Sequence, residues 1–131
     1  MIYVDANVLI RIIEGDAATR APLEVRLFLL RNTGRFLLTS RLTRLECRVK
    51  PLRSNDTVLL SLYDAFFSGA EVELLDLTAD VVEKATKLRA KLNVKTPDAL
   101  HLASAILAGA TAFLTGDQAL VRCTEIPVEV M

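Results

Sequence analysis

The run Met1-Ile2-Tyr3-Val4-Asp5-Ala6-Asn7-Val8-Leu9-Ile10-Arg11-Ile12-Ile13-Glu14-Gly15 decides how this chain is read. Three residues of strand character end at Asp5, and a stretch of helical length then continues to the glycine that stops it. The run predicts a short strand, a turn bearing a carboxylate and an amide, and a helix.

The same alternation continues along the chain. A helix over residues 20 to 32 puts Leu23, Leu27 and Leu30 on one side, a Thr33-Gly34 turn follows, and Phe36-Leu37-Leu38-Thr39 reads as a second strand. Ser40 caps a third helix whose Leu42, Leu45, Glu46 and Val49 share one stripe, read as its core-facing side, and Pro51 ends it. Residues 56 to 67 predict another helix closed by Gly69, Val72-Glu73-Leu74-Leu75 a third strand, and Thr78 the cap of a helix to Leu92. Thr96 at the N-cap with Pro97 at the first helical position opens a helix that reaches Gly109. Ala112-Phe113-Leu114-Thr115 is a buried strand, Gly116-Asp117 its turn, and Val128-Glu129-Val130 a last short strand. The pattern indicates an α/β domain over residues 1–131, with a mainly parallel central sheet sandwiched by helices.

Composition narrows the function. Apolar residues make up 52% of the 131, more surface than a solitary small domain hides, which points to a partner or to self-association. The first residues carry no basic stretch and Asp5 interrupts their apolar run, so neither a signal peptide nor a membrane span is expected there, and the location expected is cytoplasmic. Cys47 and Cys123 lack metal-type spacing and read as reduced, buried residues. The net charge of zero conceals an asymmetry, because residues 20 to 53 hold nine basic groups against Glu24 and Glu46, while both flanking segments are net acidic. No Gly-rich phosphate loop is present, which argues against a nucleoside-triphosphate enzyme.

Four acids stand out. In open parallel sheets functional groups gather beyond the carboxyl ends of the strands. Asp5 follows the first strand, Glu46 lies two turns into the helix after the second, and Asp117 follows the fourth. Asp98 begins the helix that leads into the fourth strand. Each also has a purely structural reading: Asp5 as an N-cap, Asp98 as a complement to a helix dipole, Asp117 as a turn residue. Glu46, beside Leu42, Leu45 and Val49, is costly to bury without a partner. Were all four to converge, each close pair at about 4 Å would repel by about 4 kcal/mol at an effective dielectric of 20. Protonation or bound cations would have to compensate, and Mg²⁺ or Mn²⁺ suits an all-carboxylate set. His101, on the face of Asp98, reads as a core or surface histidine rather than a ligand.

Taken together, Val4-Asp5-Ala6-Asn7-Val8-Leu9-Ile10, Ser40-Arg41-Leu42-Thr43-Arg44-Leu45-Glu46, Thr96-Pro97-Asp98-Ala99-Leu100-His101-Leu102-Ala103-Ser104-Ala105 and Phe113-Leu114-Thr115-Gly116-Asp117 resemble the PIN-domain family, specifically its VapC-type toxins. The resemblance covers almost the whole chain and implies a metal-dependent endoribonuclease. It implies that Asp5, Glu46, Asp98 and Asp117 are catalytic and bind Mg²⁺ or Mn²⁺, with Asn7 and Thr115 orienting them by hydrogen bonds. It also implies an RNA substrate, a cognate antitoxin and a homodimer. Two ions about 3.5 to 4 Å apart would activate a water for in-line attack, leaving 5′-phosphate and 3′-hydroxyl ends. Arg41, Arg44 and Arg48, with Lys50 and Arg53, are the nearest candidates to neutralise the RNA backbone, or else form a solvated helix face. Ala6 stands where many relatives have Thr or Ser, Gly116 where many have Asn, and residues 118 to 124 hold no fifth acid.

Two competing readings remain. One is a PIN-like interaction module without catalysis, which retention of all four acids disfavours. The other is a phosphoacceptor receiver domain, disfavoured because no Lys follows Lys95.

Overall fold

Residues 1–32 and 37–131 are described by the structure, a computed structural model. The Thr33-Gly34 turn, Phe36 and the side chain of Leu30 lie outside the described residues. The strands are β1 (Ile2–Val4), β2 (Leu37–Ser40), β3 (Val72–Leu75), β4 (Ala112–Thr115) and β5 (Val128–Val130). The helices are α1 (Ala6–Glu14), α2 (Ala17–Asn32), α3 (Arg41–Arg53), α4 (Thr57–Phe67), α5 (Ala79–Leu92) and α6 (Thr96–Leu107), and a 3-10 turn covers Gln118–Arg122.

The five strands form one sheet in the order β3-β2-β1-β4-β5, and every pairing is parallel, as the α/β alternation predicts. Side chains alternate across a strand, so β1 sends Ile2 and Val4 to one face and Tyr3 to the other. Ile2, Val4, Ala112 and Leu114 pack with Val8 of α1 and Leu23 of α2. On the opposite face Tyr3, Leu38 and Phe113 pack with Val81, Ala85 and Leu88 of α5 and Ala99, Leu102 and Ala103 of α6. A third cluster joins Ala6 and Leu9 of α1 to Cys47 of α3 and Tyr63 and Phe67 of α4. Both faces of the sheet are covered, which is why its strands are almost wholly apolar.

Local signals at most helix starts act as expected. Asp5, Ser40, Asp56 and Thr78 each accept a hydrogen bond from the backbone amide three residues on, which satisfies one otherwise orphaned donor. Four boundaries or faces differ. Helix α2 starts at Ala17 instead of residue 20, because Asp16 takes the Thr19 amide, and it runs on through Pro22 at the cost of the bond its amide would have made to Ala18. Helix α3 runs through Pro51 to Arg53, losing only one backbone bond near its end. At α6 the N-cap is Lys95, without a side-chain cap bond, so Thr96 and Pro97 are the first two helical residues and Asp98 is the third.

The fourth difference is the facing of α3. Its buried residues are Thr43, Cys47 and Pro51, whereas Leu45 is 58% and Val49 42% exposed. The apolar stripe therefore faces outward, and the residues that meet α1, α4 and α6 are small or polar. Packing partners, rather than the helix's own periodicity, set the rotation. No described helix is long and apolar enough to cross a membrane.

Candidate active site

The carboxyl edge of the sheet receives Asp5 directly after β1 and Asp117 two residues after β4. Asp98 reaches the same edge by a different route. Helix α6 leads into β4 and returns against its direction, so the start of α6 lies where β4 ends. Glu46 arrives from the second turn of α3, which leaves the carboxyl end of β2.

Asp5 is buried and fully engaged. One carboxylate oxygen accepts the Val8 amide at 3.2 Å, and the other accepts the Thr115 hydroxyl. Thr115 Oγ1 also accepts the Asp117 amide at 3.0 Å, so one hydroxyl ties the end of β1 to the turn after β4. Asp117 accepts the Ala119 amide at 2.9 Å through its own side chain. The capping and turn readings of Asp5 and Asp117 are thus correct descriptions of those residues, and they also fix where the two carboxylates sit. Asn7 is exposed on the first turn of α1 and hydrogen-bonds none of the four carboxylates among the described residues, so the orienting bond expected of it is not present here.

Electrostatics link the acids. Burial pushes the Asp5 carboxyl above its ordinary value despite the donors from Thr115 and Val8, and the Glu46 charge adds to the rise. Burial also raises the Asp98 carboxyl, followed by the charge of Asp117 and, more weakly, that of Asp5. A residue that only complemented a helix N-terminus would shift the other way. Asp98 accepts no hydrogen bond among the described residues, and only the charges of His101 and Lys95 work against the rise.

Glu46 is half-buried, with 35% of its side chain exposed, and its Oε1 lies 2.6 Å from Nε2 of the buried His101. The cost foreseen for a carboxylate beside Leu42, Leu45 and Val49 does not arise, because those residues and Glu46 are turned partly to solvent. His101 is a core histidine bonded to Glu46, and its polar neighbours Tyr3, Ser40 and Thr43 had no sequence signal beyond their places in a strand and a helix start.

Arg41 pairs with Asp76 at 2.5 Å, Arg48 with Asp64 at 3.0 Å, and Arg44 stands 3.9 Å from Asp64. Lys50 pairs with Glu14. The basic excess of residues 20 to 53 is therefore partly neutralised by acids from elsewhere in the fold. Cys47 and Cys123 are free and buried, and burial followed by nearby carboxylates pushes the Cys47 thiol up to about 12, leaving it inert at neutral pH.

The donor set suits a hard divalent cation, since every candidate ligand is a carboxylate and two of the four are held above their ordinary pKa partly by neighbouring negative charge. As placed, no three His, Cys, Asp or Glu side chains among the described residues stand close enough to enclose an ion.

A parallel α/β sheet with acids at its carboxyl edge is an arrangement shared by phosphodiester-cleaving enzymes and by phosphate-binding domains. The PIN domain model matches residues 2–125, and the chain belongs to that family. No curated protein matches it in sequence. Its fold is similar to VapBC2 from Rickettsia felis, solved bound to a promoter DNA fragment, with TM-score 0.79 and 21% identity over 100% of this chain and 99% of that one. It is also similar to VapC20 of Mycobacterium tuberculosis, described as a sarcin-ricin loop cleaving toxin, with TM-score 0.71 and 20% identity over 97% and 99%. FitAcB from Neisseria gonorrhoeae gives TM-score 0.71 and 14% identity over 98% and 96%.

Proposed function

We propose that this chain is a divalent-metal-dependent endoribonuclease, the toxin of a toxin–antitoxin pair, with Asp5, Glu46, Asp98 and Asp117 as its acidic centre. The observation that carries the reading is the arrival of carboxylates at the carboxyl edge of the sheet, where burial first and then the Asp117 charge hold the Asp98 carboxyl above its ordinary value. A cation there would offset both effects.

Mg²⁺ or Mn²⁺, when bound, supplies neutralising charge and an activated water for in-line attack on a phosphodiester. The chain's own residues do the positioning. The Thr115 hydroxyl holds one oxygen of Asp5 and, through the Asp117 amide, fixes the spacing between those two acids. Asp98 projects from the rigid first turn of α6. Beside the acids, a cavity of about 420 Å³ is lined by Asn7, Ile10, Arg11, Gly116 and Met131, and the Arg11 guanidinium is steadied by the Met131 carbonyl at 2.6 Å. Such a preset cation supports a contact to a phosphate of the RNA.

The exposed apolar residues Val25, Phe28 and Leu29 of α2, Leu45, Val49 and Leu52 of α3, and Val58 and Leu62 of α4 support association with an antitoxin and with a second copy of the chain. A catalytically silent interaction module is the second reading, favoured by the absence of a closed three-ligand group among the described residues.

Incubation of the purified protein with total RNA, with Mn²⁺ or Mg²⁺ and with chelator, separates the two. Discrete cuts that require metal, end in 5′-phosphate and 3′-hydroxyl, and disappear in Asp5→Asn and Asp98→Asn are expected. Intact RNA under all conditions, with no Mn²⁺ binding, would leave the interaction module.

A further inference from the structure

Behind the carboxylates runs a line of buried polar atoms that the reading above leaves without a role. Tyr3 Oη lies 2.9 Å from Ser40 Oγ and 2.7 Å from His101 Nδ1, and His101 Nε2 lies 2.6 Å from Glu46 Oε1. Thr43 Oγ1 stands 3.5 Å from the same Nδ1. Tyr3, Ser40, Thr43 and His101 are all buried, so each must find its partners within the line, and leaving one unmatched costs about 1–3 kcal/mol.

The proton arrangement follows from the acceptors. If Tyr3 donates to Nδ1, the neutral imidazole carries its proton on Nε2. The 2.6 Å contact between Nε2 and Glu46 Oε1 needs a proton between its two atoms, and that tautomer supplies it. Nε2–H then donates to Glu46 Oε1.

Glu46 has a long side chain, a third of it exposed, and no other hydrogen-bond partner among the described residues. Without the imidazole it is free to swing into solvent. His101 lies three residues after Asp98 on α6, so one rigid helix carries both Asp98 and the group that grips Glu46. We propose that His101, oriented by Tyr3, is a positioning residue that holds Glu46 by Oε1 at a set distance from Asp98 and leaves Oε2 open to a divalent cation. The proposal rests on the acidic-centre reading above and goes beyond it in assigning the support of Glu46.

The test uses two substitutions of similar bulk. The amide nitrogen of Gln reaches the place of Nε2, while that of Asn reaches only the place of Nδ1. Mn²⁺ titration calorimetry and RNA cleavage should show His101→Gln close to the parent and His101→Asn weaker in Mn²⁺ affinity by about 10- to 100-fold, with matching melting points in chelator. Equal Mn²⁺ affinity for the two variants at equal stability would overturn the proposal. Because His101 is the single histidine, its ¹⁵N imidazole spectrum reads the grip directly: a protonated Nε2 whose resonance moves in Glu46→Gln is expected, and an unprotonated Nε2 overturns the proposal even where metal binds. A parent that binds no Mn²⁺ but shows the protonated Nε2 overturns the acidic-centre reading and leaves the hold on Glu46 standing.

Discussion

Asp98 occupies the third residue of α6, where a helix dipole favours a negative charge, yet its carboxyl is held above the ordinary 3.8 by burial and then by Asp117. Between 3.8 and the raised folded value the folded chain binds more protons than the unfolded one. Stability contributed by this group therefore falls as pH rises through that window and stays lost above it. Asp98→Asn in chelator is expected to melt at an equal or higher temperature at neutral pH, by a few tenths to about 1 kcal/mol given its half-exposed position, with the gain vanishing well below pH 3.8. Mg²⁺ should stabilise the parent more than the variant, since it binds the folded state alone. A loss of about 0.3–1 kcal/mol at neutral pH, with cleavage intact, would return Asp98 to the role of a helix complement. The places of Asp5 and Asp117 were legible because strand ends are marked by sequence, and Asp98 could have been placed by noting that its helix runs back against β4. The Tyr3–His101 line was not legible, since a Tyr in a strand and a His on a buried helix face look like core residues until their partners, 37 and 98 residues away from Tyr3, are in place.

Helix α3 shows where periodicity misleads. Its most apolar stripe, with Leu45 and Val49, faces out, and its inner face meets Ala6, Leu9 and Tyr63 through Cys47. The expectation failed because the sequence reports how apolar a face is, while tertiary packing decides what that face meets. Leu45→Ser and Val49→Ser should therefore change the stability of the monomer, melted at dilution, by no more than about 0.5 kcal/mol. Leu9→Ala, at a fully buried position in the same cluster, should cost about 2 to 5 kcal/mol. Denaturant melts of the three variants check this, and a large loss at Leu45 would restore the inward-facing stripe. The strands were legible from short apolar runs between turn residues. The first turn of α2 was not, because Pro22 resembles a boundary, yet the helix passes through it.

At the scale of the whole molecule, salt and mass are the informative measurements. Arg41, Arg44 and Arg48 already face Asp64 and Asp76, so an RNA phosphate must compete with those acids for them. RNA affinity is expected to fall steeply with salt, and charge removal at the three arginines to flatten that slope by up to about one unit per residue while Mn²⁺ binding is retained. An unchanged slope would mean that the three arginines serve only as structural ion pairs. Light scattering should report a dimer that hides part of the exposed apolar surface of α2, α3 and α4, and a monomer at every concentration would remove that expectation. The strand order has a consequence in time. Strand β1 precedes both of its neighbours in the chain, yet it lies between β2 and β4, and Asp5 receives its Thr115 hydroxyl only once β4 has docked. Until that pairing forms, β1 is open on one side and Asp5 keeps only its Val8 amide, since Thr115 lies 110 residues further on. The geometry of the acidic edge is thus completed only by a long-range closure of the sheet.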